Sequence, residues 1–118
     1  MMLKYKKIYW TEHSKIKMRQ YGLSRSKLLS IIYRPERKER GIVGGTIAVM
    51  MTNKKYSFSK IRDLVKPQKL QVGEIWLMYK DVKNLRKIIS AWRYPGISKP
   101  GESIPIPDDI KREIFGEI

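Results

Sequence analysis

The chain has 118 residues and carries 26 Lys and Arg against 11 Asp and Glu, a formal charge of +15 with a pI near 10.1. That length supports one compact domain, or one domain with a tail, whose core needs no disulfide or metal. The absence of cysteine excludes a disulfide framework and thiol catalysis, a single histidine leaves no zinc set, and the excess charge calls for a polyanion, with nucleic acid ahead of membrane.

KYKKIYW, Lys4 to Trp10, alternates as a short strand with Tyr5, Lys7 and Tyr9 on one side. No apolar run reaches the roughly 18 residues of a membrane span, and this first stretch is too short and polar for a signal peptide, so a cytoplasmic protein is expected. Thr11 is placed to cap a helix to about Tyr21, Gly22 to end it in the left-handed conformation, and Ser24 to cap a second helix. Leu28, Leu29, Ile31 and Ile32 form the buried stripe of that second helix, and Pro35 forces Arg34 out of helical geometry. RKER, Arg37 to Arg40, reads as a charged connecting loop.

GIVGGTIAVMMT reads as a strand with a bulge or turn at Gly44-Gly45, Asn53 to Lys55 as a turn, YSFSKI as a short strand, and residues 63–72 as a loop around Pro67. GEIWLMYK and NLRKIISAWRY, joined by DVK, form an antiparallel hairpin at the centre of the sheet. Strict alternation in the last strand puts Leu85, Lys87, Ile89, Ala91 and Arg93 on one face. Arg86, Ile88, Ser90, Trp92 and Tyr94 then share the other.

Residues 95–118 differ in character, with four of the six prolines and 3 basic against 5 acidic residues, whereas residues 1–94 hold 23 against 6. They read as a stiff extended tail ending in a short helix that begins at Asp108 and Asp109, with Ile110, Ile114 and Ile118 along one side. Its net negative charge suggests a strap across a basic face. The expected architecture is α+β, with two N-terminal helices packed on a four- to five-stranded antiparallel sheet over residues 1–94 and an extended C-terminal tail over 95–118.

HSKIKMRQYGLS, His13 to Ser24, holds the only histidine and sets His13, Lys17 and Tyr21 on one helical side at i, i+4 spacing. Two N-terminal helices before a curled antiparallel sheet resemble the RelE-like toxin domains of the barnase-EndoU-colicin-RelE group of metal-independent ribonucleases. His13, Lys17, Met18, Gly22, Leu23 and Ser24 are similar to the opening motif of the RelE-like domains related to BrnT toxins, and Pro35 falls where that group commonly ends its second helix. The resemblance covers residues 10–94; Lys17 stands where arginine is common, and the segment from Thr52 to Gly73 is long for such a domain. It implies a toxin-type endoribonuclease and an acidic antitoxin as partner.

Metal-independent RNA cleavage needs the 2′-hydroxyl deprotonated, the phosphorane charge stabilised and the 5′-oxygen protonated. His13 is the natural acid or base, with Lys17 and Arg93 as phosphate stabilisers. Arg62, Lys80, Arg86, Lys87 and Tyr94 are the expected nucleic-acid contacts. Trp76 or Trp92 should be buried, leaving Tyr94 to meet a base. Beside each of these stands an ordinary reading: His13 as a helix-start residue bonding backbone, the lysines as a solvated face. RNA binding, with cleavage as its extension, is the leading function. The alternatives are a non-catalytic regulatory or viral accessory nucleic-acid binder and a module that meets an acidic antitoxin-like protein. A homodimer is the remaining partner expectation; no metal, cofactor or membrane contact is expected.

Overall fold

A computed structural model describes residues 6–54 and 72–116. Local chemistry sets the helix ends where the sequence places them. Helix α1 (Glu12–Tyr21) opens with Thr11 Oγ1 accepting from Ser14 N at 3.1 Å and closes at Gly22, φ 66°, in the left-handed region. Helix α2 (Arg25–Tyr33) opens with Ser24 Oγ accepting from Lys27 N at 3.1 Å, and Arg34 leaves helical geometry at φ −139°, ψ 66° ahead of Pro35. Each cap satisfies backbone groups that the first and last turns cannot pair.

Five strands surround these helices in the chain: β1 (Lys7–Trp10) precedes them, and β2 (Arg37–Arg40), β3 (Thr46–Lys54), β4 (Val72–Val82) and β5 (Leu85–Tyr94) follow. They form one sheet in the order β1-β5-β4-β3-β2. The fold class is α+β, with α3 (Asp108–Lys111) and a π-helical turn (Arg112–Gly116) closing the described chain. The sheet is mixed rather than antiparallel throughout: β1 runs parallel to β5, from Lys7 opposite Leu85 to Trp10 opposite Ile88. No described helix is long and apolar enough to cross a membrane.

Three expectations for the connections change. RKER is an edge strand, not a loop, pairing with β3 from Arg37↔Met50 to Arg40↔Ile47. Charge conceals it from hydrophobic periodicity, and charge is what keeps an open edge from recruiting another strand. Asn53 and Lys54 stay in β3, opposite Gly73 and Val72, so the turn expected there is absent from them; YSFSKI, and all of the 63–72 loop except Val72, lie outside the described residues. The β4–β5 hairpin turns at Lys83-Asn84, with Lys83 at φ 55°.

Two cores result. On one face Leu28, Ile31 and Ile32 of α2 and Met18 of α1 pack on Val49, Ile75, Leu77, Tyr79, Ile88 and Ala91. On the other, Ala48, Met50, Trp76, Met78 and Trp92 are covered by Ile106 and Ile110 of the tail. The two indoles lie parallel with centroids 6.3 Å apart, and Trp92 Nε1 donates to Pro105 O at 2.7 Å. Buried Glu74 accepts from Trp76 Nε1 (2.9 Å), Ser98 Oγ (2.7 Å) and Ser98 N (2.8 Å). Arg37 lies over Trp76 and donates to Ser98 Oγ and Glu39 Oε2, both at 2.6 Å. The tail is a strap held by apolar burial and a satisfied polar network.

A β-bulge decides which β5 side chains share a face. Met78 pairs with Ser90 but Tyr79 pairs with Ile88, which leaves Ile89 extra. Ile88 therefore joins Ala91 in the helix-side core while Ile89 joins Trp92 in the strap-side core. Strict alternation separates Lys87 and Ile89 from Ser90 and Trp92; the extra residue re-aims the strand so that they share a face.

Candidate functional site

The strand β1 stops opposite Ile88, and the chain then enters α1, which lies against the rest of β5. Thr11 Oγ1 anchors its start by donating to Ile88 O at 2.7 Å. This brings the His13–Lys17–Tyr21 side of α1 toward the strap. His13 Nε2 lies 3.2 Å from Ser90 Oγ and 3.4 Å from Glu113 Oε1. The Ser90 hydroxyl can donate to Nε2 or accept from it, and Glu113 is an ion-pair partner of the protonated ring. Burial lowers the His13 pKa below 6.5; Glu113 and Asp109 oppose that shift, and Lys17 adds to it.

Lys17 is buried, with its side chain 4% exposed. Its ammonium donates to Asp109 Oδ2 at 2.8 Å and Gln20 Oε1 at 2.9 Å, and pairs with Glu113 Oε1 at 3.2 Å. Burial pulls its pKa down, but the bonds to Asp109 and Glu113 outweigh it and hold the value above 10.5. The Asp109 carboxyl is held below 3.8 by the hydrogen bond from Lys17, against burial. Lys17 thus latches α1 to the strap and has no donor left for a phosphate.

The latch has a signed pH dependence. The raised Lys17 value contributes stability that is full below 10.5 and fades as pH rises through the folded-state value. The lowered Asp109 value contributes stability that is full above 3.8 and fades as pH falls through its folded-state value. At neutral pH, Lys17→Met is expected to cost about 2 kcal/mol, less than the ~3–5 kcal/mol of a fully buried pair because solvent screens the partly exposed carboxylates. Urea unfolding measures this, and a midpoint unchanged from wild type contradicts the latch. The variant should also lose the alkaline fade.

Arg93 is similarly committed, donating from Nε to Tyr21 O at 2.7 Å and from Nη2 to Gly22 O at 3.1 Å. It caps the C-terminal end of α1, eight residues from His13 and so about 12 Å along the helix axis. Of the three expected catalytic residues, His13 and Lys17 meet on Glu113 Oε1 while Arg93 lies apart from them. Arg86 stacks 4.3 Å from the Tyr79 ring centroid and grips Asp81 through Nε and Nη2 at 2.8 and 3.0 Å. Tyr94 is half-buried against the strap-side core, Trp76 and Trp92 are both fully buried, and Arg62 lies outside the described residues.

Lys80 and Lys87 remain. They are direct cross-strand partners, and neither side chain makes a hydrogen bond or ion pair among the described residues. Lys80 lines a cleft of about 420 Å³ whose other walls are the start of α1 (Thr11, His13), the β2–β3 turn and the start of β3 (Val43, Thr46), Ile89 of β5 and the π-helical turn (Glu113, Ile114). His13 and Lys80 thus share one cleft.

No family model, curated protein or solved structure matches the chain.

Sequence reasoning passed over Glu113, Ser90 and Tyr9. The i, i+4 spacing of Asp109 and Glu113 signalled two carboxylates on one helical side. That they meet Lys17, some ninety residues earlier, had no local signal. The bulge that turns Ser90 toward His13 had none either.

Proposed function

We propose that this protein binds single-stranded RNA on a scaffold of RelE-like build. The observation that carries the reading is its uncompensated charge. Asp109, Glu113, Asp81, Glu39 and Glu12 each pair with a basic residue inside the fold, while the side chains of Arg19, Lys27, Lys80, Lys87, Lys111 and Arg112 make no hydrogen bond or ion pair among the described residues. Such cations are where polyphosphate releases counterions and gains affinity. The RelE-like build is supported by two capped helices ahead of antiparallel strands; the parallel β1 and the strap are departures from the expected pattern.

The test is fluorescence anisotropy with a labelled oligouridylate of about ten nucleotides across a salt series. Log affinity should fall linearly with log salt at about 0.7 per phosphate engaged, giving a slope of about −3 or steeper. No binding at low salt, with capture of an acidic protein partner instead, favours the interaction-module alternative.

A second reading, RNA cleavage, is favoured by His13 lying in the same cleft as Lys80. The His13 imidazole takes the 2′-hydroxyl proton, the 2′-oxygen attacks phosphorus, and Lys80 stabilises the phosphorane. The bond to the 5′-oxygen breaks, the leaving oxygen takes a proton from the imidazolium, and the products are a 2′,3′-cyclic phosphate and a 5′-hydroxyl. Neither Lys17 nor Arg93 is needed in this scheme.

A further inference from the structure

We propose that the cleft beside His13 is a nucleotide slot: it takes one unpaired RNA base, Lys80 and Lys87 hold the adjoining phosphates, and Tyr9 stacks on the neighbouring base. The proposal rests on the RNA-binding reading above and gives it a location and a path.

Register places the three surface residues in one row. Tyr9 of β1 is opposite Lys87 of β5, and Lys87 is opposite Lys80 of β4. Cross-strand partners point to the same face, and strands lie about 4.8 Å apart, so the row spans about 10 Å. Ile8 and Trp10 pack toward the helix-side core, which leaves Tyr9 on the strap side, 51% exposed. The strap covers the middle of that face through Ile106 and Ile110, which pack with Trp76, Met78 and Trp92. The row lies beyond that cover, at the end of the face nearer the β4–β5 turn.

Two lysines directly opposite each other repel, and no acid pairs with either. An anion bound between them removes that repulsion. The aliphatic stem of Lys80 runs beside Gly45, where an added Cβ would sit 3.2 Å from Lys80 Cε and where φ is +84°. Inside the cleft, Val43, Ile89 and Ile114 offer apolar contact, and the one carboxylate present, Glu113, is occupied by His13 and Lys17. Apolar walls behind a cationic rim match the two halves of a nucleotide, a base with a hydrophobic face and a charged phosphate. The volume lies within the ~300–1,000 Å³ typical of small-ligand sites. A base is held by its π-face whatever its identity, so the slot tolerates sequence variation.

The experiment uses the full chain and an oligouridylate carrying one 2-aminopurine. The double variant Lys80→Gln, Lys87→Gln should lose about tenfold or more in affinity at moderate salt and flatten the salt slope by about 1.4, two phosphates at about 0.7 each. Its melting temperature should not fall, because a repulsive pair is removed. Tyr9→Ala should weaken binding about fivefold or more. Val43→Trp, which fills the cleft, should abolish the 2-aminopurine fluorescence increase while leaving the salt slope unchanged. If wild type binds RNA but the double variant matches it, and Arg19→Gln, Lys27→Gln instead flattens the slope, the slot is overturned while RNA binding stands. If wild type binds no RNA at all, the functional reading itself fails.

Discussion

Truncation before Pro95 is expected to leave a chain that does not fold, rather than one that binds RNA more tightly. Ile106 and Ile110 are buried against Trp76, Met78 and Trp92, and losing two such side chains removes about 3–6 kcal/mol of apolar burial. The same cut takes away Ser98, whose two donated hydrogen bonds both go to buried Glu74. Glu74 keeps only the Trp76 Nε1 donor, and a buried carboxylate that loses two of three donors costs a further ~1–3 kcal/mol. Those losses approach the whole ~5–15 kcal/mol stability of an ordinary domain. Circular dichroism and urea unfolding of residues 1–94 against the full chain check this. A cooperative transition in the fragment with an unchanged midpoint would show that the sheet folds without its strap.

His13→Ala is expected to reduce RNA cleavage by about 10²–10⁴-fold, the usual yield of one acid–base group, while RNA affinity changes little. The ring supplies the proton transfer, whereas the affinity comes from lysines it does not touch. As a base, the ring must be neutral, and burial holds its pKa below 6.5. Activity should therefore rise with pH along a limb centred below 6.5 and then level off. Glu113→Gln removes the carboxylate that raises the His13 pKa, so that limb should move further down. A structural role for Glu113 would not shift it. If wild type cleaves nothing and His13→Ala binds RNA normally, the non-catalytic alternative holds, and the cleft serves binding alone.

The different fates of Lys17 and Lys80 show why site residues are hard to read from a chain. Both are lysines beside apolar neighbours, and Lys17 had the better motif. Lys17 is spent on Asp109 and Glu113, which approach from the far end of the sequence. The Lys80 side chain is left without an ion pair among the described residues because no acid lies opposite it, only Thr46 and Lys87. Arg93 met a similar end, drawn to the carbonyls of Tyr21 and Gly22.

Local chemistry by itself determined both N-terminal helices, their caps at Thr11 and Ser24, the left-handed stop at Gly22, the β4–β5 hairpin and the burial of one of its two tryptophans, Trp76 or Trp92, where the structure buries both. Each depends on neighbours within a few residues or on plain hydrophobicity. Only the tertiary structure decided that RKER is an edge strand, that β1 enters parallel to β5, that the strap closes a second core, and that a bulge at Ile89 places Lys87 and Ser90 on one face. Those outcomes depend on which strand arrives alongside and in what register. A one-residue slip in a period-two pattern exchanges the faces of everything beyond it.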